Sequence, residues 1–500
     1  MSPSRVFLLL STLWCLTMGA ILGLTDQEAY YWTWSLRPDL GYFEHPPLQA
    51  WLTALVTGLL GSNAFAVRLV PLVARLIGFY FFAVWVRRRL AQSVPSTPLA
   101  NRLATDGVVL TMACSFLGLA MGLLALPDCL LFMFGMLTML SSEAKKPLNT
   151  GFFLGLAALS KWIAIGLVPG VMWHLRVPGN LIKTLRNWSI AGALSLVIQA
   201  PVLYWNSQHN WVTFRFHLSD RFKHLGPDWP PIKKVVENFL GFSASQVLLV
   251  SLSVFAIAFI WATHSQVRRN FVRPRLGTWI WILPFYLIFG SAALRGELRF
   301  YWTAFACFPL ALAIFESWPK LLMFDGLRRS LWACGLVTMT LVSVVLVFPV
   351  GAWLKPITDT YKSYDLRHSP RGDLDGWREF SKSLKEQALV DDQTAVMASN
   401  FRIAAQMIWA LDLRSPDSVG VANWTKMQFS IWPQPQLNTT QFKKAIFVSD
   451  NRYWIIEHFQ RFCAEPLSYR DYEVQRMGHT VKKIKWASCA SFRPDPAAEM

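Results

Sequence analysis

Nine stretches of this chain run long and apolar with little or no charge: residues 6–24, 66–86, 107–125, 129–142, 188–205, 239–262, 278–294, 300–316 and 331–353. Crossing a hydrocarbon core about 30 Å thick takes about 20 mainly apolar residues in a helix. Only helices and closed barrels satisfy their backbone polar groups in lipid, and runs of this length predict helices. The fold expected is an α-helical polytopic membrane protein. Charged residues make up only 16% of the chain, against about 25% in a soluble domain, which argues against a soluble multidomain enzyme. The apolar content of 53% excludes disorder. The first run has Arg5 alone before it and no small-residue cleavage site after it, so it is read as retained rather than as a signal peptide.

The segment 150–175 is too long for one tidy helix and too short for two full crossings. Lys145 and Lys146 precede it; Arg176, Lys183 and Arg186 follow it. Basic residues flank membrane segments on the cytoplasmic side, so both ends belong there and the segment turns back near Ser160-Lys161. Counting this hairpin as two passes gives about eleven transmembrane segments. The N-terminus is then cytoplasmic, and loops 25–65 and 206–238 lie outside, as does everything from 354 onward. The formal net charge of +18 is thereby accounted for mostly by topology, and nucleic acid is not expected as a partner. Loop 206–238 breaks the trend with Arg215, Arg221, Lys223, Lys233 and Lys234, and an anionic ligand is one reason for that.

The tail 354–500 is polar and mixed in charge. Short apolar runs at Ala395–Ser399 and Ala445–Ser449 predict buried strands, and Trp377–Leu389 an amphipathic helix. A soluble α/β domain is expected on the outer face. The domain organisation is therefore 1–353, membrane part with its outer loops, and 354–500, outer domain. Cys463 and Cys489 are the tail's two cysteines, and spacing alone leaves their pairing open. The other five lie in or beside apolar runs, where a thiol packs as a small hydrophobe.

Several polar residues resist a bland explanation. Asp26 and Glu28 follow the first apolar run, and Tyr30, Tyr31, Trp32 and Trp34 come next. An interfacial aromatic belt explains the rings. It explains Asp26 less well, since an acid at the membrane boundary tends to face a cavity or a partner, where a carboxylate can serve as general base. Glu44 and His45 precede Pro46-Pro47 and the apolar stretch Leu48–Leu60, which is too short to span and is expected in the interface plane. His45 is either a surface residue or a phosphate contact. Asp128, in the tight turn Leu126-Pro127-Asp128, is an N-cap or a second boundary acid. Lys161 sits inside an apolar stretch, where it is costly unless paired or wet; a phosphate, Asp26 or Asp128 is the partner expected. Phosphate-binding nucleotide loops, HExxH and a serine nucleophile elbow are absent from the sequence.

The string DQEAYYWTWS, then GYFEHPPLQAWLTAL, then FAVRLVP resembles the start of bacterial membrane glycosyltransferases of the GT-C type. LPDCLLFMFGMLTM, GLAALSKWIAIGLVPG and LYWNSQHNWVTFRFHLSDRF resemble further segments of that family in order, and DLDGWREF and SIWPQP resemble its tail. The relatives meant are polyprenyl-phosphate-sugar transferases akin to lipid A aminoarabinose transferase and rhizobial galacturonosyltransferases, and more distantly protein O-mannosyltransferases. The resemblance implies a sugar donor on undecaprenyl phosphate, a glycan, lipid or protein acceptor such as lipid A, inverting displacement, and residence in a bacterial inner membrane with the tail periplasmic. It implies Asp26 and Asp128 as catalytic acids, with Glu28 in the same acidic motif, and His45, Lys161 and Arg221 as donor-phosphate ligands. His45 stands where a relative has lysine, and Gln27 where many relatives continue directly with Glu. No cofactor is implied with certainty; should a divalent metal bind, Glu44 and His209 are the candidate ligands. A polyprenyl-lipid transporter or flippase would share the boundary acids and lipid groove, but no inverted repeat or matching pair of broken helices supports it.

Overall fold

The computed structural model describes residues 2–93, 98–225, 228–250, 252–273, 275–296, 300–323, 325–350, 374–422, 427–434, 441–450 and 457–494. The helices are α1 Pro3–Ile21, α2 Asp26–Ser35, α3 Leu48–Leu60, α4 Ala64–Ser93, α5 Pro98–Ala113, α6 Phe116–Leu123, α7 Asp128–Glu143, α8 Pro147–Ser160, α9 Val168–Leu175, α10 Leu181–Gln208, α11 Val212–Leu218, α12 Ile232–Val250, α13 Leu252–Thr263, α14 Ser265–Arg269, α15 Leu276–Trp279, α16 Leu283–Arg295, α17 Cys307–Ser317 and α18 Asp325–Val347. After them come α19 Trp377–Glu386 and α20 Phe401–Ala410, with five strands. Two compact units emerge. The first holds Met1–Met18, His45–Gln49 and Arg68–Thr340; the second holds Gly19–Glu44, Ala50–Val67 and Leu341–Met500. The boundary at 353/354 expected from sequence falls outside the described residues.

Every apolar run named above became helix, but many are interrupted. Among the described residues four helices are long and apolar enough to span: Pro3–Ile21, Ala64–Gln92, Leu181–Gln208 and Gly326–Val347. Two bent pairs, Pro98–Ala113 with Phe116–Leu123 and Ile232–Val250 with Leu252–Thr263, raise the number to six if each is one span. The other apolar helices among the described residues are shorter. The cause of one break is local. Ser115 leaves the helix and caps the next, its hydroxyl accepting from Gly118 N at 3.0 Å. A Cβ at Gly118 would meet the Met112 carbonyl oxygen, so glycine is required at that bend.

In the first unit the segment 147–175 is a hairpin, as its flanking charges predict. Lys145 closes its open end by donating to the carbonyls of His174 and Arg176. Lys161 interrupts the helix at the tip in an extended conformation, φ −159° and ψ 134°. The α8 arm lies against α10 so closely that a Cβ on Gly151 would fall 2.5 Å from the Ala191 carbonyl oxygen. At the far end of α7 from Asp128, a buried polar cluster gathers on Arg89. Its guanidinium faces Glu143 at 3.7 Å and Glu316 at 3.8 Å and donates to Thr278 at 2.6 Å, while Thr278 donates to Glu316 at 2.8 Å.

The second unit is built on a five-stranded sheet in the order β2-β1-β3-β5-β4, with β1 Thr394–Ala398, β2 Val419–Val421, β3 Lys444–Asp450, β4 Arg470–Arg476 and β5 His479–Cys489. The first three strands run parallel, in register Val396↔Val419 and Val396↔Ile446, and β5 and β4 add antiparallel. Both strands expected from sequence are present and buried on both faces, as parallel strands are. Met477 and Gly478, at φ 50° and 77°, form the two-residue turn that joins β4 to β5. Cys463 and Cys489 are disulfide-bonded beside a core of Phe447, Phe459, Phe462 and Phe492.

Helix α2 belongs to this second unit, and its aromatic residues are not an interfacial belt. Tyr30, Trp32 and Trp34 are buried, packed on Phe401, Trp409 and Tyr42 respectively, with ring centroids 4.6, 4.7 and 4.6 Å apart. Large rings gain most when fully removed from water, and α20 offers them a surface that headgroups do not. Gln406 Nε2 donates to the Leu24 carbonyl at 2.9 Å, tying the entry of α2 to α20.

Candidate functional site

In the first unit the Leu126-Pro127 turn starts α7 at Asp128, and the hairpin brings its tip back to the same level. Lys161 Nζ donates to Asp128 Oδ2 at 2.6 Å. The two side chains are 5% and 18% exposed, so the carboxylate keeps more access to water than the ammonium. The ring of Tyr301 lies 4.9 Å from Nζ. Asp128, one of the partners that sequence offered for Lys161, is in contact with it.

The turn after α10 explains the WN-QH-W pattern. Asn206 Oδ1 accepts from Thr213 N at 3.1 Å, and Trp211 adopts φ 55°. His209 stacks on Trp205, and its Nδ1 lies 2.7 Å from the Trp205 carbonyl oxygen. The turn delivers α11 and then Asp220–Leu225, where Arg221 is held between Phe216 and Trp302 at 5.0 and 5.1 Å and donates from Nη1 to His217 Nδ1 at 3.3 Å. Arg215 points out to solvent, which favours Arg221 of the two outer-loop arginines. His45 faces the same group: its ring is 6.1 Å from that of His217. Burial, and then the charges of Lys161, His217 and Arg221, hold its pKa well below the ordinary 6.5. His45 is therefore a neutral imidazole at neutral pH. Asp128, Lys161, His45, His217 and Arg221 together make a locally cationic cluster, in which His217 and the rings of Tyr301 and Trp302 were not foreseen.

In the second unit α2 opens with a capping box. Glu28 N donates to Thr25 Oγ1 at 3.2 Å, and the Glu28 carboxylate accepts from Thr25 N at 2.9 Å. Glu28 is fully buried in that role, a structural task that accounts for its place in the acidic motif. Asp26, one helical position before Gln27, is 4% exposed, and its Oδ2 lies 3.7 Å from Arg402 Nη1. Tyr30 OH accepts from Gln428 N at 3.0 Å and bonds to Glu44; burial and the Glu44 charge hold the phenol's pKa well above 10. Gln428 Oε1 also accepts from Phe43 N at 2.6 Å, so Glu44 leaves a pinned backbone. Among the described residues neither Glu44 nor His209 belongs to a group of three converging metal-ligand side chains. The group that does converge is Cys463, Glu465 and Cys489, whose cysteines are bonded to each other.

Residues 44–205 match the family described as dolichyl-phosphate-mannose-protein mannosyltransferase. The chain is 29% identical over 361 residues to the lipid A galacturonosyltransferase RgtD of Rhizobium johnstonii, covering 70% of this chain and 72% of that one. The fold matches ArnT from Cupriavidus metallidurans bound to undecaprenyl phosphate, at a TM-score of 0.60 and 14% identity over 97% of both chains; the apo form gives 0.57 over the same share. The chain has the fold of GT-C type membrane glycosyltransferases. Within it the matched segment 44–205 carries His45, Asp128 and Lys161, three of the residues singled out above. Asp26 and Arg221 lie on either side of it. Arg402 is the site-adjacent residue that sequence reasoning missed. Its one local signal is Asn400, an N-cap type residue ahead of an apolar run, which marks the helix start but not what Arg402 touches.

Proposed function

We propose that this chain is a membrane glycosyltransferase that moves a sugar from a polyprenyl phosphate donor, with undecaprenyl phosphate as the carrier, to an acceptor on the periplasmic side of a bacterial inner membrane. The observation that carries the reading is the cationic cluster of Lys161 and Arg221 with neutral His45, gathered beside Asp128 at the tip of a membrane hairpin. A lipid phosphate is an anionic leaving group. It departs as the bond from the anomeric carbon to the phosphate oxygen breaks, and fixed cations placed where that charge grows lower the barrier without a general acid. Arg221, with a planar fork, suits two phosphate oxygens; Lys161 supplies a point charge. His45, neutral, donates one hydrogen bond.

On the acceptor side Asp26 takes the proton of the attacking hydroxyl as the new glycosidic bond forms. Attack opposite the leaving phosphate inverts the anomeric centre. Asp128 holds Lys161 in place, and its more exposed carboxylate is available to the sugar. The likeness to a lipid A galacturonosyltransferase makes lipid A the first acceptor to try and galacturonic acid the first sugar. The arrangement we propose places the N-terminus in the cytoplasm and the α/β domain in the periplasm, with 1–353 as the membrane part.

The test is transfer of labelled sugar from a polyprenyl phosphate donor by the purified full chain, with no membrane gradient. Wild type is expected to transfer and Asp26→Asn to lose transfer while keeping protein yield and donor binding. Full transfer by Asp26→Asn would remove the base from the scheme; movement of intact donor across vesicles without transfer would replace the enzyme with a transporter.

A further inference from the structure

The second unit contains a small charge assembly that no sequence motif announces, made by Asp26, Gln27 and Arg402. Helix α20 is buried along most of its length and packs against α2. Its first turn is fixed by Asn400, whose Oδ1 accepts from Arg402 N at 2.8 Å and Ile403 N at 3.1 Å. The Arg402 backbone therefore has little freedom. Its side chain is fixed as well. With the Gln27 amide oxygen turned toward it, the guanidinium donates through Nη2 at 2.9 Å and Nε at 3.1 Å. Its carbon lies 5.4 Å from the Phe401 ring centroid. This leaves Nη1 directed at Asp26 Oδ2, 3.7 Å away.

Two details separate this from an ordinary packing clasp. First, the residue that grips the guanidinium fork is an amide, not a carboxylate. Gln27 fixes the geometry of the arginine without bringing a charge of its own. Second, 3.7 Å is an ion-pair separation and too long for a hydrogen bond. Over that contact the fixed guanidinium sets the direction of the carboxylate. The arginine is also the more open partner, 30% exposed at the side chain against 5% for the aspartate.

We propose that Arg402 is a positioning residue for Asp26: anchored by Gln27, it holds the carboxylate aimed for the acceptor hydroxyl. The inference rests on Asp26 serving as the acceptor-side base. Misplacing a reacting group by about 1 Å can cost about 100-fold in rate, so a loss of about 10- to 100-fold in kcat is expected for Arg402→Ala. The donor KM should stay within about twofold, because Arg402 acts through Asp26 and not on the phosphate. Arg402→Lys, which keeps the charge but loses the fork, should recover much of the rate. Gln27→Glu should lower kcat while leaving the thermal midpoint unchanged or higher, since a carboxylate there draws the arginine's charge to itself.

The experiment is steady-state kinetics on the purified full chain with labelled polyprenyl-phosphate sugar, alongside thermal unfolding of each variant. A wild-type kcat in Arg402→Ala overturns the inference. So does a loss that follows the fall in thermal midpoint and is not relieved by lysine. The two readings fail separately. Full transfer by Asp26→Asn defeats the base assignment itself, whereas an inactive Asp26→Asn beside a fully active Arg402→Ala defeats only the role of the arginine.

Discussion

Replacing Lys161 by methionine is the most informative single change, because it separates folding from chemistry. Lys161 Nζ and Asp128 Oδ2 are 2.6 Å apart, and their side chains are 5% and 18% exposed. Removing one partner of a buried pair strands the other charge and costs about 3–5 kcal/mol, whereas replacing both with apolar groups of similar volume is often neutral. Lys161→Met should therefore destabilise the chain by about 3–5 kcal/mol, trimmed toward the lower figure because water reaches Asp128. Lys161→Met combined with Asp128→Leu should recover most of that loss. Sugar transfer should not recover with it, since the cation for the leaving phosphate is still missing. The assay pairs thermal unfolding in detergent with transfer from labelled donor. A single mutant as stable as wild type would mean that the pair does not form; a double mutant with wild-type transfer would mean that neither group takes part in the reaction.

Other expectations follow from the same geometry. His45 is held neutral by burial and by nearby cations, with its pKa well below the ordinary 6.5. An unfolded chain protonates this histidine below about pH 6.5 while the folded one resists, so stability is full above that value and falls as the pH drops through it. His45→Gln should flatten that acid-side slope in thermal midpoints taken from about pH 7.5 to 5; an unchanged slope would contradict the burial argument. Arg221→Lys keeps the charge but loses the fork between Phe216 and Trp302, and the donor KM should rise about tenfold with kcat less affected; an unaltered KM would move the phosphate elsewhere. Cys463→Ser with Cys489→Ser opens a bridge across a separation of 26 residues, and loss of about 3 kcal/mol from the α/β domain is expected in chemical unfolding. Equal stability with and without reductant would show that the bridge adds nothing.

Much of this was legible from residue types. Spacing of basic residues located the hairpin, because Lys145 and Arg176 belong at the same membrane face and the structure joins them there. The cost of a lysine in lipid flagged Lys161 before any partner was known. Strands β1 and β3 were visible as short apolar runs. What sequence could not show was long-range partnership. Tyr30, Trp32 and Trp34 have the composition of an interfacial belt, yet Tyr30 and Trp32 are made part of a core by α20, about 370 residues later. Likewise nothing near Arg89 in sequence names its partners Glu143, Thr278 and Glu316. One helix break was hidden for another reason: Ser115 interrupts a run whose hydropathy is continuous, because hydropathy averages over a window while a break is decided by one residue's hydrogen bonds.

Helix α7 is pinned to neighbouring protein at both extremities, by Asp128 to Lys161 and by Glu143 to Arg89. Its 16 residues measure about 24 Å, and 11 of them are buried against other helices. The helix is thus a fixed spacer: it sets how far the Asp128–Lys161 pair stands from the Arg89 cluster, and a change that loosens one end is felt at the other.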